Sequence, residues 1–163
     1  MSGSLSAPSH VELIEAVSAD ELVHIRALFR AYADGLGIDL EFQGFEQELA
    51  SLPGQYAPPR GCLLMATLGS QPAGCVALRP LQEYTCEMKR LYVCPEARGK
   101  GIGRMLACEI MARAHALGYI HMRLDTLPWM DAAIALYRAL GFYEIAPYRY
   151  NPVPGAVYME LCL

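Results

Sequence analysis

The sequence predicts a single α/β domain, leaning toward α+β, in which helices flank a mixed and mostly antiparallel sheet. Its 163 residues suffice for one well-developed core, and no repeat or low-complexity linker divides them. Strand-like and helix-like patterns follow in the order β-α-α-β-β-β-α-β-α-β-β. One βαβ crossover in the middle supplies the parallel part. We expect about six or seven strands and about four helices, with residues 1–9 as a flexible tail.

The N-terminal half is predicted to form a strand, two helices and a hairpin. Residues 10–17 alternate as in a strand, and Ser18 with Glu21 forms a capping-box pattern that opens a helix over 19–34. A shorter amphipathic helix follows over 43–52. Two apolar runs then flank a Gly-Ser-Gln-Pro turn, which is typical of a β-hairpin.

The C-terminal half is predicted to alternate strands and helices, each helix ending at a glycine. The predicted strands cover 85–93, 119–127, 142–145 and 156–162, and the predicted helices cover 101–117 and 129–140. Pro128 is expected to open the second of these helices.

Composition excludes several classes of protein. With 54% hydrophobic and 18% charged residues, the chain is too apolar to be disordered. A net charge of −4, with no long basic run, argues against a nucleic-acid partner. No apolar stretch approaches the roughly 18 residues that span a bilayer. The N-terminus lacks the features of a signal peptide, so a cytoplasmic location without a membrane partner is expected.

The six cysteines do not form a recognisable metal or disulfide pattern. No C-x-x-C pair occurs, no histidine stands at metal-ligand spacing, and several cysteines sit inside apolar runs. Buried, reduced thiols are therefore favoured over disulfides or zinc, and no metal is expected.

The segment PEARGKGIGRML places Gly99, Gly101 and Gly103 directly before a predicted helix. Free N–H groups at a helix start and the helix dipole together attract anions, and glycines let a phosphate approach the backbone. Arg98 and Arg104 add positive charge. On this evidence alone, an ordinary glycine-rich turn with solvated arginines stays equally open.

Two common phosphate motifs fit this segment poorly. The P-loop pattern is absent, and a dinucleotide fingerprint begins at Gly99 but meets Arg104 where its last glycine belongs. Five residues also separate Gly99 from the predicted strand end at Val93, although Asp125 lies at a suitable distance for the usual acid. A nicotinamide or nucleotide enzyme is therefore disfavoured.

The stretch EMKRLYVCPEARGKGIGRMLACEIMARAHALGY, followed by LDTLPWMDAAIALYRALGFYEI, resembles the GNAT N-acetyltransferase superfamily. The family's R/Q-x-x-G-x-G/A motif, which binds the pyrophosphate of acetyl-CoA, matches 98–103, and a second motif matches 133–142. The likeness is close over about 83–145 and loose elsewhere. It implies a GNAT-like sheet and acetyl-CoA as co-substrate. The residues that it implies for acetyl-CoA are Leu91, Tyr92 and Val93, through backbone groups of a splayed strand, and Arg98, Gly99, Lys100, Gly101, Ile102, Gly103 and Arg104.

The resemblance also implies catalytic roles for two side chains. Tyr137 would be the general acid near the CoA sulfur, the alternative being a packed tyrosine whose hydroxyl bonds to a backbone carbonyl. Glu87 would be the base, the alternatives being an ordered water as base or a glutamate paired with Lys89 or an arginine. Met130 stands where many members carry an asparagine that contacts pantetheine, so that contact is in doubt.

The implied activity is acetyl transfer to a primary amine of a small molecule, amino acid or peptide, directly in a ternary complex. A non-catalytic acyl-CoA-binding module is the alternative. The acceptor has no readable pattern. Trp129 is a candidate for the acceptor pocket or a dimer contact, the alternative being a residue that caps the core, and 149–151 are candidates for an acceptor carboxylate or a solvated loop. A homodimer is a candidate assembly, since similar proteins frequently form one.

Overall fold

A computed structural model describes residues 10–163 and has the predicted order of elements. The predicted tail over 1–9 lies outside the described residues. The strands are β1 (Val11–Glu15), β2 (Cys62–Leu68), β3 (Gln71–Pro80), β4 (Thr85–Val93), β5 (His121–Thr126), β6 (Tyr143–Ile145) and β7 (Val157–Cys162). The helices are α1 (Ala19–Leu36), α2 (Phe45–Ala50), α3 (Ile102–Ala116) and α4 (Asp131–Ala139).

The strands form one seven-stranded sheet in the order β1-β2-β3-β4-β5-β7-β6. The β4–β5 pair is parallel and is connected by α3, whereas the other neighbouring pairs are antiparallel. The predicted fold class, a mixed and mostly antiparallel sheet with four helices, is therefore confirmed.

Two local predictions are corrected by the structure. Gly69 and Ser70 alone turn the hairpin, with φ of 56° and 71°, so Gln71 already belongs to β3. Two left-handed residues give a hairpin turn the twist that its strands need. Helix α4 begins at Asp131 because Pro128 and the next residue form a turn, closed by a 3.1 Å bond from the Met130 N–H to the Leu127 carbonyl.

Each face of the sheet buries its own apolar cluster. Helices α3 and α4 cover one face, whose core includes Leu64, Val76, Leu78, Leu106, Ile110, Met122, Leu124, Tyr137 and Met159. Helices α1 and α2 cover the other, whose core includes Ile25, Leu28, Phe29, Phe45, Leu49, Leu63 and Ala77. The capping box of Ser18 and Glu21 starts α1 as predicted.

All six cysteines are free thiols, but only some are buried. Cys62, Cys75 and Cys86 lie in the core, and burial raises the pKa of Cys62 to about 11. Cys108 and Cys162 are exposed, so the prediction of buried thiols holds for the strands β2, β3 and β4 but not for these two positions.

Strand β4 contains a bulge that separates its two halves. Ala77 of β3 faces Lys89 and Cys75 faces Tyr92, so one residue of β3 stands opposite Arg90 and Leu91. Arg90 has a φ of 60°, a left-handed conformation that is unusual for a residue with a side chain. Strand β4 pairs with β5 only over Thr85–Glu87, and beyond this point the two strands diverge.

The side chain of Arg90 anchors the bulge against α2. It is 3% exposed and donates to Glu48 in a bidentate pair of 3.0 and 3.1 Å. Its guanidinium also lies 5.2 Å from the ring centre of Phe45. Burial alone would raise the pKa of Glu48, but the hydrogen bonds and charge of Arg90 outweigh burial and lower that pKa below its ordinary value.

Among residues 10–163, none of the helices combines the length and the apolar character that crossing a bilayer requires.

We predict that Glu48→Gln lowers the free energy of unfolding by about 3 kcal/mol, because it leaves the buried guanidinium of Arg90 without a counter-charge. Urea denaturation at pH 7 measures this. Glu46→Gln on the same helix is the matched control: its carboxylate pairs with Arg30 at the surface and should matter much less. Equal effects of the two substitutions would contradict the anchoring role.

The same pair predicts a pH dependence. Because the folded-state pKa of Glu48 is lowered, its contribution is complete above the ordinary glutamate pKa of about 4.3 and is lost as pH falls through the folded value. The difference in unfolding free energy between wild type and Glu48→Gln should therefore shrink in acid. A difference that stays constant down to acid pH would contradict this.

Candidate active site

Two connected cavities lie where β4 leaves β5. The outer groove has a volume of about 550 Å³ and lies between the end of β4 and the start of α4. The inner cavity, of about 40 Å³, lies deeper, against residues of β4, β5 and α1. Four residues line both spaces: Tyr32, Leu36, Leu91 and Met130.

The inner cavity is lined from both faces of the sheet. Tyr32 belongs to α1 on one face, and Tyr137 belongs to α4 on the other. Side chains from opposite faces can share a cavity only where the sheet is open. The divergence of β4 and β5 therefore creates the site.

The glycine loop closes the outer groove at the N-terminus of α3. Gly99 and Gly101 have φ of 80° and 76°, which a residue with a side chain rarely adopts. Gly101 is the N-cap and offers no side chain to the helix, and the first backward bond runs from the Met105 N–H to the Gly101 carbonyl at 3.1 Å. The N–H groups of the first turn are thus left for an external acceptor.

Arg98 ties this loop to the end of β4. Its Nε donates to the Val93 carbonyl at 3.1 Å, and its guanidinium lies 6.0 Å from the ring centre of Tyr92. Of the residues predicted for acetyl-CoA, five line the outer groove directly: Leu91, Tyr92, Val93, Arg98 and Gly103. The side chain of Ile102 is buried in the core instead, which leaves only its backbone to face a ligand.

Tyr137 lies in the inner cavity with its ring packed against Phe142 at a centroid distance of 5.7 Å. The residue is 7% exposed, and burial raises its pKa well above the ordinary tyrosine value. Within the described chain, its hydroxyl forms no side-chain hydrogen bond, unlike that of Tyr56, which donates to Glu48 at 2.9 Å. The alternative of a hydroxyl fixed on a backbone carbonyl is not observed.

Glu87 lies elsewhere, in a cluster of charges beside the inner cavity. Its side chain is fully buried and contacts Arg79 at 2.7 Å, Arg149, and the hydroxyl of Tyr148 at 2.6 Å. Burial would raise its pKa, but the positive charges of Lys89, Arg79 and Arg149 lower the pKa overall. Glu87 therefore does not line the inner cavity in which Tyr137 lies. Its carboxylate is paired with two arginines, which is the arrangement given above as an alternative to a catalytic base.

Several polar residues of the inner cavity were not predicted from the sequence as parts of an acetyltransferase site. Lys89, Asp125 and Gln43 line it, together with Asn151, which was predicted only as part of a loop. A signal was present, because β4 carries three charged residues, at 87, 89 and 90, in a strand that is buried over most of its length. Buried charges at the centre of a sheet usually mark a site.

Trp129 and Met130 lie at the mouth of the outer groove, just before α4. Trp129 is half exposed and lines only this groove, which fits a pocket residue. Met130 is the N-cap of α4 and forms no side-chain cap bond, so it contributes apolar surface to both cavities.

Comparison with known proteins identifies the family. The model of the GNAT acetyltransferase family matches residues 23–142. The chain belongs to the GNAT family. It is 40% identical over 156 residues to an uncharacterized N-acetyltransferase of Schizosaccharomyces pombe, covering 94% of this chain and 96% of the relative.

Solved GNAT structures share the fold at lower identity. An acetyltransferase of Streptococcus agalactiae is 20% identical and superimposes with a TM-score of 0.78, covering 94% of this chain and 98% of that one. The PaiA N-acetyltransferase of Thermoplasma acidophilum, solved in complex with coenzyme A, is 19% identical with a TM-score of 0.71. The superposition covers 94% of this chain and 99% of that one. The predictions of a GNAT fold and of an N-acetyltransferase are confirmed.

We predict that Tyr137→Phe changes the free energy of unfolding of this GNAT protein by less than about 0.5 kcal/mol, because its hydroxyl has no partner to lose. Tyr56→Phe is the matched comparison and should lower that free energy by about 2 kcal/mol, since it removes a bond to a carboxylate. Urea denaturation of both variants measures the two effects. A similar loss at Tyr137 would show that its hydroxyl is structural.

Proposed function

We propose that this GNAT protein transfers the acetyl group of acetyl-CoA to a primary amine of a small molecule, amino acid or peptide, directly in a ternary complex. The observation that carries the proposal is the junction of the two cavities at Leu91 and Met130, with Tyr137 beside it. A long ligand in the outer groove and a small one in the inner cavity would meet there.

The residues present fit acetyl-CoA. The first-turn N–H groups of α3 and the side chain of Arg98 would hold a pyrophosphate, because both are donors at the positive end of a helix. Leu91, Tyr92 and Val93 line the apolar groove beyond, on the edge of β4 that β5 has left. Unpaired backbone groups of such an edge suit the amides of a pantetheine arm.

The chemistry requires an activated acetyl group, and acetyl-CoA supplies it as a thioester. The side chain of Tyr137, which lines the inner cavity, would give its phenolic proton to the departing sulfur. The phenol is protonated at neutral pH, as a general acid must be, and burial raises its pKa further, which makes it a weaker acid than a solvent-exposed tyrosine. Backbone N–H groups along the free edge of β4 would stabilise negative charge on the carbonyl oxygen.

Direct transfer is supported by the composition of both cavities. Among the described residues that line them there is neither a cysteine nor a serine to carry the acetyl group, and Thr126 supplies the one aliphatic hydroxyl. Glu87 as the base stays a prediction. Its contacts with two arginines favour a positioning role, in which it holds the side chains of Arg79 and Arg149.

Turnover with a panel of amines tests the proposal. Release of the CoA thiol should depend on both acetyl-CoA and an amine, and mass spectrometry should find the acetylated amine. Saturable binding of acetyl-CoA without thiol release for any amine would instead favour a non-catalytic binding module.

We predict that Tyr137→Phe lowers kcat roughly 100-fold and leaves the Kd of acetyl-CoA nearly unchanged, because the variant loses only the proton donor. Steady-state kinetics and calorimetry measure the two quantities. Tyr84→Phe, an exposed tyrosine outside both cavities, is the control and should keep the wild-type kcat. A wild-type kcat in Tyr137→Phe would remove Tyr137 from the mechanism.

We predict that Gly101→Ala raises the KM for acetyl-CoA about tenfold. An alanine with φ of 76° is strained by about 1 kcal/mol, and relief of that strain would turn the loop N–H groups away from the phosphate. Gly118→Ala is the matched control at the other end of α3, with φ of 91° and equally open surroundings. Its KM should stay at the wild-type value, and equal increases in both variants would contradict a phosphate role for the loop.

A further inference from the structure

Lys89 is a buried cation without an anionic partner. Its residue is 7% exposed, and its ammonium donates to the Gln43 side-chain oxygen at 3.2 Å. Across residues 10–163, no carboxylate lies within ion-pair distance of it. A buried charge is usually paired or neutralised, so an unpaired lysine that lines a cavity calls for an explanation.

The surroundings of Lys89 are dominated by positive charge. Glu87 already contacts Arg79 and Arg149, and Glu48 is occupied by Arg90. Burial, followed by the charge of Arg90, lowers the pKa of Lys89 to about 7, against the charge of Glu87, which raises that pKa but lies beyond ion-pair distance. An anion in the inner cavity would favour the charged form of this lysine and supply the missing counter-charge.

Asp125 is an acidic residue that lines the same cavity as the basic Lys89. It lies on β5, across the opening from Lys89, and it lines the inner cavity. Asn151 donates to its Oδ2 atom at 3.2 Å, which orients the carboxylate. In the described part of the chain, no lysine, arginine or histidine pairs with it, and Lys89 itself is too distant to do so.

We propose that the acceptor is a small amino acid or a closely related aminocarboxylate, whose carboxylate binds to Lys89 and whose ammonium group binds to Asp125. This inference rests on the proposed function and names its substrate class. A zwitterion is the ligand that gives each side chain the partner it lacks, since an α-amino acid carries its ammonium group and its carboxylate on the same carbon. The volume of about 40 Å³ favours a few non-hydrogen atoms over a long peptide.

The position of the two side chains agrees with this class of acceptor. Tyr137 lines the same cavity, and the cavity meets the outer groove at Leu91 and Met130. An ammonium group held by Asp125 would thus lie on the side of the cavity from which β4 has diverged. The ammonium would first give one proton to water, and the neutral amine would then face the place proposed for the acetyl group. As the N–C bond forms and the C–S bond breaks, Tyr137 would protonate the sulfur, and its phenolate would take the second proton from the nitrogen.

The test compares three matched series of acceptors: L-α-amino acids, their α-carboxamides, and the amines that lack the carboxyl group. Wild-type protein should acetylate at least one amino acid with a kcat/KM ten- to a hundredfold above that of its carboxamide. The KM for acetyl-CoA should be the same with all three series.

Lys89→Met should erase this preference. We expect the kcat/KM for the amino acid to fall ten- to a hundredfold, while the carboxamide stays within about twofold of wild type. Folding should be preserved, because methionine replaces a buried charge that has no carboxylate partner. Arg138→Met removes one positive charge from the exposed face of α4 and should keep the preference.

Asp125→Asn should behave differently from Lys89→Met. It should lower kcat/KM for the amino acid and the carboxamide alike, because both carry the ammonium group. This variant keeps the inference testable if Lys89→Met does not fold.

The outcomes separate the two proposals. No thiol release with any amine would overturn the proposed function and this inference with it. Turnover without a preference for a carboxylate, or an equal loss on acid and carboxamide in Lys89→Met, would overturn the inference and leave the acetyltransferase function standing.

Discussion

The divergence of β4 from β5 is the constraint on which the site depends. The two strands are paired over only three residues and then separate, which opens the sheet between its two faces. The bulge at Arg90 changes the direction in which the side chains of the second half of β4 point. Leu91 and Val93 pack against the core cluster under α3, whereas Tyr92 packs against the cluster under α1. A left-handed arginine is held there by its pair with Glu48 and by stacking on Phe45.

The two ligand sites of this GNAT protein use different parts of the chain. The site proposed for the co-substrate would consist mainly of backbone: glycines with positive φ, the first turn of α3 and the free edge of β4. The site proposed for the acceptor would consist of side chains that several elements contribute to the inner cavity, among them Lys89 and Asp125. A binding site formed by backbone groups can be recognised in the sequence from its pattern of glycines. A binding site formed by side chains depends on contacts between residues that are distant in the sequence, so no local pattern marks it.

This difference explains how far the sequence could be interpreted. The order of the elements, the capping box at Ser18 and the glycine loop were predicted because each depends on local sequence. The bulge at Arg90 was not predicted, since it is stabilised by Glu48, 42 residues away along the chain. The surroundings of Glu87 depend on Arg79 and Arg149 in the same way, and spacing within β4 carries no information about those contacts.

The most direct test of the central claim is a crystal structure of the protein with acetyl-CoA. We expect density for the pyrophosphate on the N–H groups of Gly101 to Arg104, and density for the pantetheine arm along Leu91 to Val93 in the opening between β4 and β5. We also expect the acetyl group at the junction with the inner cavity, within reach of Tyr137. Acetyl-CoA bound away from this opening, or a β5 that pairs with β4 along its whole length, would contradict the account.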